Sequence, residues 1–137
     1  MDNLRDTMAS ASLKIAQIMA NSGDKSYVYY FDHRPPGRDD RHYGAFHSSD
    51  LVYECDNLDA VNRPWTEADK KLADMMSSYW ANFAATGNPN HAGLPDWPPF
   101  DKESDLALEL GDTVRARAIP SRSLLKELNA NHFSLAF

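Results

Sequence analysis

Ser26-Tyr-Val-Tyr-Tyr-Phe31 is the stretch on which the fold turns. Five consecutive β-forming residues with no polar residue between them read as a strand buried on both faces, as in the interior of a parallel sheet. Upstream, Leu4, Met8, Ala11, Ile15, Ile18 and Met19 recur at spacings of three and four. That spacing predicts a helix over 4–20, ended by Asn21-Ser-Gly23. A helix leading into a short buried strand is the rhythm of an α/β fold.

Downstream, 32–43 turn charged and carry Pro35-Pro36-Gly37, which is loop chemistry. Gly44-Ala-Phe-His-Ser-Ser-Asp50 follows, then a second irregular stretch to Trp65. Thr66-Glu-Ala-Asp69 opens the best-signalled helix: Thr66 caps free N–H groups, and Glu67 and Asp69 sit at the positive end of the helix dipole. Leu72, Met75, Met76, Tyr79, Trp80 and Phe83 form its apolar stripe, and Gly87-Asn-Pro-Asn90 ends it. A loop around Trp97 leads to Leu106, Leu108 and Leu110, which alternate with Ala107 and Glu109 and predict a half-exposed edge strand. Leu124, Leu125 and Leu128 predict a short terminal helix from Ser121 to Asn129.

The expected inventory is two main helices, a short terminal helix and two strands. Two strands are too few for a sheet of their own. The apolar faces of Tyr27 to Phe31 therefore demand neighbours these residues do not supply, and the expected architecture is α/β but incomplete as a sheet. No repeat, low-complexity tract or internal boundary divides residues 1–137.

The chain has 137 residues, and its 3 Trp, 6 Tyr and 6 Phe suffice for the core of one small domain. Its 14 basic and 20 acidic residues give a formal net charge of −6. With no basic patch to neutralise phosphates, nucleic acid and anionic membrane are excluded as expected partners. Cys55 is the only cysteine, which favours a reducing, cytoplasmic setting and rules out an internal disulfide. No apolar run approaches the ~20 residues of a membrane span. Met1-Asp-Asn-Leu-Arg-Asp6 does not read as a signal peptide, and no Asn-x-Ser/Thr acceptor is present.

Several residues could carry chemistry. A metal site can be drawn from His33, His42 and His47 with Asp39, Asp40 and Asp50, but the spacings match no ligand motif, so neither metal nor cofactor is expected. His91 and His132 read as surface residues. A serine hydrolase needs a nucleophile, a base, an acid that orients the base, and an oxyanion hole. His47 is a candidate base. Ser48 and Ser49 are poor nucleophiles for it, since chain neighbours rarely reach the required geometry. The 137 residues hold no Gly-x-Ser-x-Gly turn and no Gly-Gly run. Read alone, His47 is more often a satisfied loop histidine than a catalytic one.

Four blocks add to this: Tyr27-Val-Tyr-Tyr-Phe-Asp-His33, Gly44-Ala-Phe-His-Ser-Ser-Asp-Leu51, Tyr79-Trp-Ala-Asn-Phe-Ala-Ala-Thr-Gly-Asn-Pro-Asn90, and Trp97-Pro-Pro. Their order and gaps resemble the C-terminal part of type-B carboxylesterases, the α/β-hydrolase family that includes the cholinesterases. The Trp-x-x-Phe-x-x-x-Gly-x-Pro pattern of the third block is the most specific. The resemblance implies that His47 is the base of a Ser–Glu/Asp–His triad, and that Asp50 organises its loop. It also implies that Trp80 and Phe83 pack their helix to the sheet. The family's nucleophile, triad acid and oxyanion glycines would all lie upstream of residue 1. Where the family continues with apolar residues and Gly, this chain has Glu54, Cys55 and Asp56, which implies a looser loop or a reshaped pocket wall.

Two functions follow as expectations. The first is a carboxylic ester hydrolase segment that supplies the triad histidine to a small-molecule ester and is inactive by itself. The alternative is a non-catalytic, self-associating or interaction module that pairs its open strands as a homo-oligomer.

Overall fold

Asn21-Ser-Gly23 ends a helix where the spacing put it. In the computed structural model, which describes residues 3–37, 40–101, 103–120 and 123, helix α1 runs Asn3–Asn21. Its buried side is not the more hydrophobic one. Leu13 and Ala16 are buried with Phe100, and Ala20, Val28 and Ile119 pack against them. Met8, Ile15 and Ile18 are 63 %, 59 % and 54 % exposed. The helix carries two apolar stripes, and the one with small alanines is the one that meets Phe100.

The described residues fall into two compact units. One takes in parts of 1–28, 98–107 and 117–137, and the other takes in 29–97 and 108–116. In the first, the Phe100 N–H donates to the Ser26 carbonyl at 2.7 Å and the Ile119 N–H to the Asp105 carbonyl at 3.1 Å. The second holds the elements around His47.

Strand β1 is Tyr29–Phe31, shorter than the apolar run suggests, and it is followed by helices α2 (Asp40–Tyr43) and α3 (Leu51–Glu54). A 3-10 turn at Leu58–Ala60 leads to the long helix α4, Glu67–Thr86. Strands β2 (Leu106–Leu110) and β3 (Val114–Ala118) follow, and the sheet order is β1-β2-β3. β1 and β2 are parallel, with Tyr29 opposite Leu108 and Phe31 opposite Leu110. Parallel pairing across a long helical connection is the βαβ logic expected of an α/β fold.

The sheet corrects two expectations. β2 is the central strand, not an edge: Ala107, Leu108, Glu109 and Leu110 are all buried. Its polar residue is carried inside because Arg115 of β3 pairs with the Glu109 carboxylate at 2.9 Å. β3 itself was not anticipated, since Val-Arg-Ala-Arg-Ala has little β propensity and is held by pairing after a three-residue turn. The predicted helix from Ser121 to Asn129 lies outside the described residues, as does His132.

α4 forms as its local chemistry dictates. The Thr66 hydroxyl accepts from the Asp69 N–H, and the Asp69 carboxylate accepts from the Thr66 N–H, a capping box. Gly87, at φ 74, closes the other end in the left-handed conformation that a side chain would strain. Leu72, Met76 and Tyr79 are buried, and the Trp80 ring meets Tyr29 of β1 edge-on at 5.3 Å. Phe83, expected to pack with them, is 47 % exposed. Asn90 fixes the exit loop, accepting from the Trp97 N–H at 2.7 Å and donating to its carbonyl at 2.8 Å.

Candidate functional site

His47 stands on a turn over 47–50 that enters α3, and its side chain is exposed. Among the described residues it has no hydrogen-bond partner. The turn is tight. The Ser49 N–H donates to the Phe46 carbonyl at 3.0 Å, and Ser48 takes φ 67, a left-handed backbone uncommon for a residue other than glycine. Such strain persists only where its surroundings hold it. Ser49 is buried with its hydroxyl unpaired, so neither serine is engaged with the imidazole.

Three contacts hold the turn. The Asp50 carboxylate accepts from the Tyr29 hydroxyl of β1 at 3.0 Å, which ties the turn to the sheet. Glu54 brings its own carboxyl oxygen to the same hydroxyl, also at 3.0 Å. Before the turn, the Arg63 guanidinium lies over the Phe46 ring at 5.2 Å and donates to the Pro36 carbonyl. Glu54 is one of the departures noted in the sequence, and here it joins the support of the loop.

Burial, followed by the charges and bonds of Asp50 and Glu54, pushes the Tyr29 hydroxyl well above its ordinary value, so it stays protonated. Burial also pushes the Glu54 carboxyl up. The Tyr29 bond pulls it partway back and the Asp50 charge pushes it up again, leaving it raised overall.

Tyr53, the neighbour of Glu54 on α3, reaches the opposite way. Its buried hydroxyl donates to Oδ1 of Asp69 at 2.8 Å. The same oxygen faces Nε2 of His33 at 2.8 Å, while Nδ1 of His33 faces Asp112 at 3.0 Å. Both ring nitrogens of this buried histidine therefore meet carboxylate oxygens. Burial opposes the Asp69 charge, but bonds from Thr66, His33 and Tyr53 more than offset it and hold the carboxyl below its usual range.

The candidate residues of the sequence are thus separated. His33 is buried between Asp69 and Asp112, whereas His42 is exposed with its ring edge-on to Tyr43 at 4.8 Å. His47 is on its own turn, and His91 is exposed. Among the described residues no group of three or more His, Cys, Asp or Glu side chains is set to hold a metal ion. Asp39 lies outside those residues. Tyr29 and Glu54 were not foreseen as partners of the loop, and with the bonded groups 21 and 25 positions apart no spacing motif could have shown it.

Residues 4–133 match the sequence model of the carboxylesterase family. Liver carboxylesterase 1 of Oryctolagus cuniculus is 31 % identical over 119 residues, covering 85 % of this chain and 21 % of that protein. The cocaine esterase of Homo sapiens is 38 % identical over 103 residues, covering 72 % and 18 %. Among solved structures, an esterase from Clostridium hathewayi described as able to hydrolyse aliphatic aromatic polyesters aligns with a TM-score of 0.71 at 28 % identity, over 85 % of this chain and 23 % of its own. The carboxylesterase of Geobacillus stearothermophilus aligns with a TM-score of 0.67 at 26 % identity, over 85 % and 24 %. The chain therefore spans about a fifth of the length of the curated relatives it matches. No helix among the described residues is long and apolar enough to cross a membrane.

Proposed function

The chain belongs to the carboxylesterase family and shares the α/β-hydrolase fold of its structural relatives, and from that premise we propose that it supplies the base of a serine esterase's triad, His47. In this reading residues 1–137 form the C-terminal part of one hydrolase domain. Nucleophile, triad acid and oxyanion donors come from polypeptide outside these residues, and the substrate is a small carboxylic ester. The setting is a reducing one, in keeping with Cys55 as the single cysteine.

The observation that carries the proposal is the turn. An exposed imidazole with no partner of its own sits beside a strained Ser48, on a loop fastened to the sheet through Asp50 and Tyr29. A base must be free to take a proton from its nucleophile while its backbone stays fixed. By itself the chain has the base alone, and general-base help is worth only ~10²–10⁴-fold.

The test joins residues 1–137 behind the N-terminal four-fifths of the Geobacillus carboxylesterase and measures p-nitrophenyl ester hydrolysis. His47→Ala is expected to lower kcat by about 10⁴- to 10⁶-fold, as loss of a triad histidine does. A variant within threefold of the parent would sink the assignment. The unjoined chain is expected to take no label from a fluorophosphonate.

One observation favours the interaction-module reading. Among the described residues the sheet order leaves β1 at an edge. Edge pairing between copies would cover that edge. A concentration-independent monomer in light scattering would exclude it.

A further inference from the structure

At the Tyr29 hydroxyl the number of protons does not match the number of acceptors. A phenol has one hydrogen to donate, yet oxygens of Asp50 and Glu54 both lie 3.0 Å from it. With both carboxyls ionised, one of them would face the phenol lone pairs with nothing between, and two half-buried negative charges would share one donor. One added proton resolves both conflicts. A protonated carboxyl donates to the Tyr29 oxygen, and Tyr29 donates to the carboxylate that remains.

We propose that Glu54 is a positioning residue that works as a neutral acid: its carboxyl donates to Tyr29, Tyr29 donates to Asp50, and this chain of hydrogen bonds from α3 through β1 pins the turn that carries His47. The significance for catalysis rests on the reading of His47 as the triad base. Of the two carboxyls Glu54 is the one that burial, against the pull of the Tyr29 bond and with the Asp50 charge, drives toward the acid form. Among the described residues, the titratable groups facing it are Tyr29 from β1 and Asp50 from the turn. From α4 and the following loop the rings of Trp80 and Trp97 meet Tyr29 edge-on. When Glu54 ionises, its proton leaves to solvent, the Tyr29 oxygen loses its donor, and the new carboxylate is repelled by Asp50. The end of α3 then moves off the strand and the turn loosens.

The experiment follows the full chain by NMR, with ¹³C-labelled glutamate carboxyls and ¹⁵N amides, from acid to mildly alkaline pH. The Glu54 carboxyl is expected to titrate above the ordinary value of about 4.3, and the amides of His47, Ser48 and Ser49 are expected to shift with the same midpoint. Glu54→Gln, whose amide donates to Tyr29 at every pH, is expected to abolish that step and leave the amides at their low-pH positions. Glu54→Leu, which fills the space without a donor, is expected to hold them near their high-pH positions throughout. A Glu54 midpoint at or below the ordinary value, or amides that ignore the state of residue 54, would overturn the proposal. These readouts need no substrate, so they are separable from catalysis. If the turn follows Glu54 but the His47→Ala hybrid keeps its activity, the hydrogen-bond chain stands and the catalytic assignment fails.

Discussion

Replacing Asp69 with alanine removes the carboxylate on which α3, α4 and the segment after β1 converge. Asp69 is 1 % exposed. One oxygen accepts from Tyr53 and faces His33, both at 2.8 Å, and the other accepts the Thr66 N–H at 2.8 Å and the Thr66 hydroxyl. Losing the cap partner costs about 1 kcal/mol. Stranding the Tyr53 hydroxyl, which is fully buried, costs about 1–3 kcal/mol, and losing the charge-assisted bond to His33 about 1.5–3 kcal/mol. Because the groups form one network these losses do not add. Breaking a buried pair by removing one partner sets the scale at about 3–5 kcal/mol. With a urea slope of about 1–3 kcal/mol/M, the midpoint of Asp69→Ala should fall by about 2 M. The effect should also depend on pH. The Asp69 carboxyl is lowered in the folded state, so its contribution is present above the ordinary carboxylate value and is lost as pH falls through the lowered one. The gap between parent and variant should therefore narrow in acid. A loss below about 1 kcal/mol at neutral pH, or Tyr53→Phe and Asp69→Ala effects that simply add in the double variant, would refute the network.

Other expectations concern the two faces and the end of the helices. Leu13→Ala should cost about 2–5 kcal/mol, since Leu13 is 2 % exposed beside Phe100, while Ile15→Gln should stay within about 0.5 kcal/mol in thermal melts. Equal losses would show that the stripe containing Ile15 is the buried one. Gly87→Ala forces a Cβ into φ 74 and should cost about 1 kcal/mol, read as a lower melting temperature of the full chain.

What could be read in the sequence was what is decided locally. α4 is specified within a few residues at each end, by Thr66 with Asp69 and by Gly87, and it forms there. The buried face of α1 was not legible, because periodicity counts apolar residues and cannot say which of two stripes will find a partner. Met8, Ile15 and Ile18 are the more hydrophobic set, yet Phe100, more than eighty positions on, settles against Leu13 and Ala16. β2 misled for a related reason. Glu109 in an alternating run implies a wet face, and Arg115, brought back by a strand the pattern does not show, pairs with its buried carboxylate. Tyr27 and Val28 have strand chemistry without a strand, since β1 is limited to the residues that Leu108–Leu110 can pair. At the site, spacing left His47 ambiguous, and the ordered blocks around it supplied the direction. The groups that support its turn are joined across the fold and leave no local trace.

The two networks that meet on α3 respond to pH in opposite senses, and this limits when the helix is held at both contacts. Tyr53 ties it to α4 through Asp69, whose carboxyl must be ionised to accept four contacts, and whose lowered value keeps it so until well into acid. Glu54, the next residue, meets Tyr29 of β1, and burial raises its carboxyl although the Tyr29 bond itself favours the ionised form. Below the Asp69 transition the α4 contact loses its ionised acceptor, and above the Glu54 transition the proposed donor to the Tyr29 oxygen is lost. Between them both are in place, and the turn bearing His47 is braced from the sheet side by Asp50 and from the helix that follows it. Neither brace uses the imidazole. His47 is left exposed and without a hydrogen-bond partner among the described residues, so what fixes its turn lies with its neighbours, Asp50 and Glu54 through Tyr29 and Arg63 over Phe46.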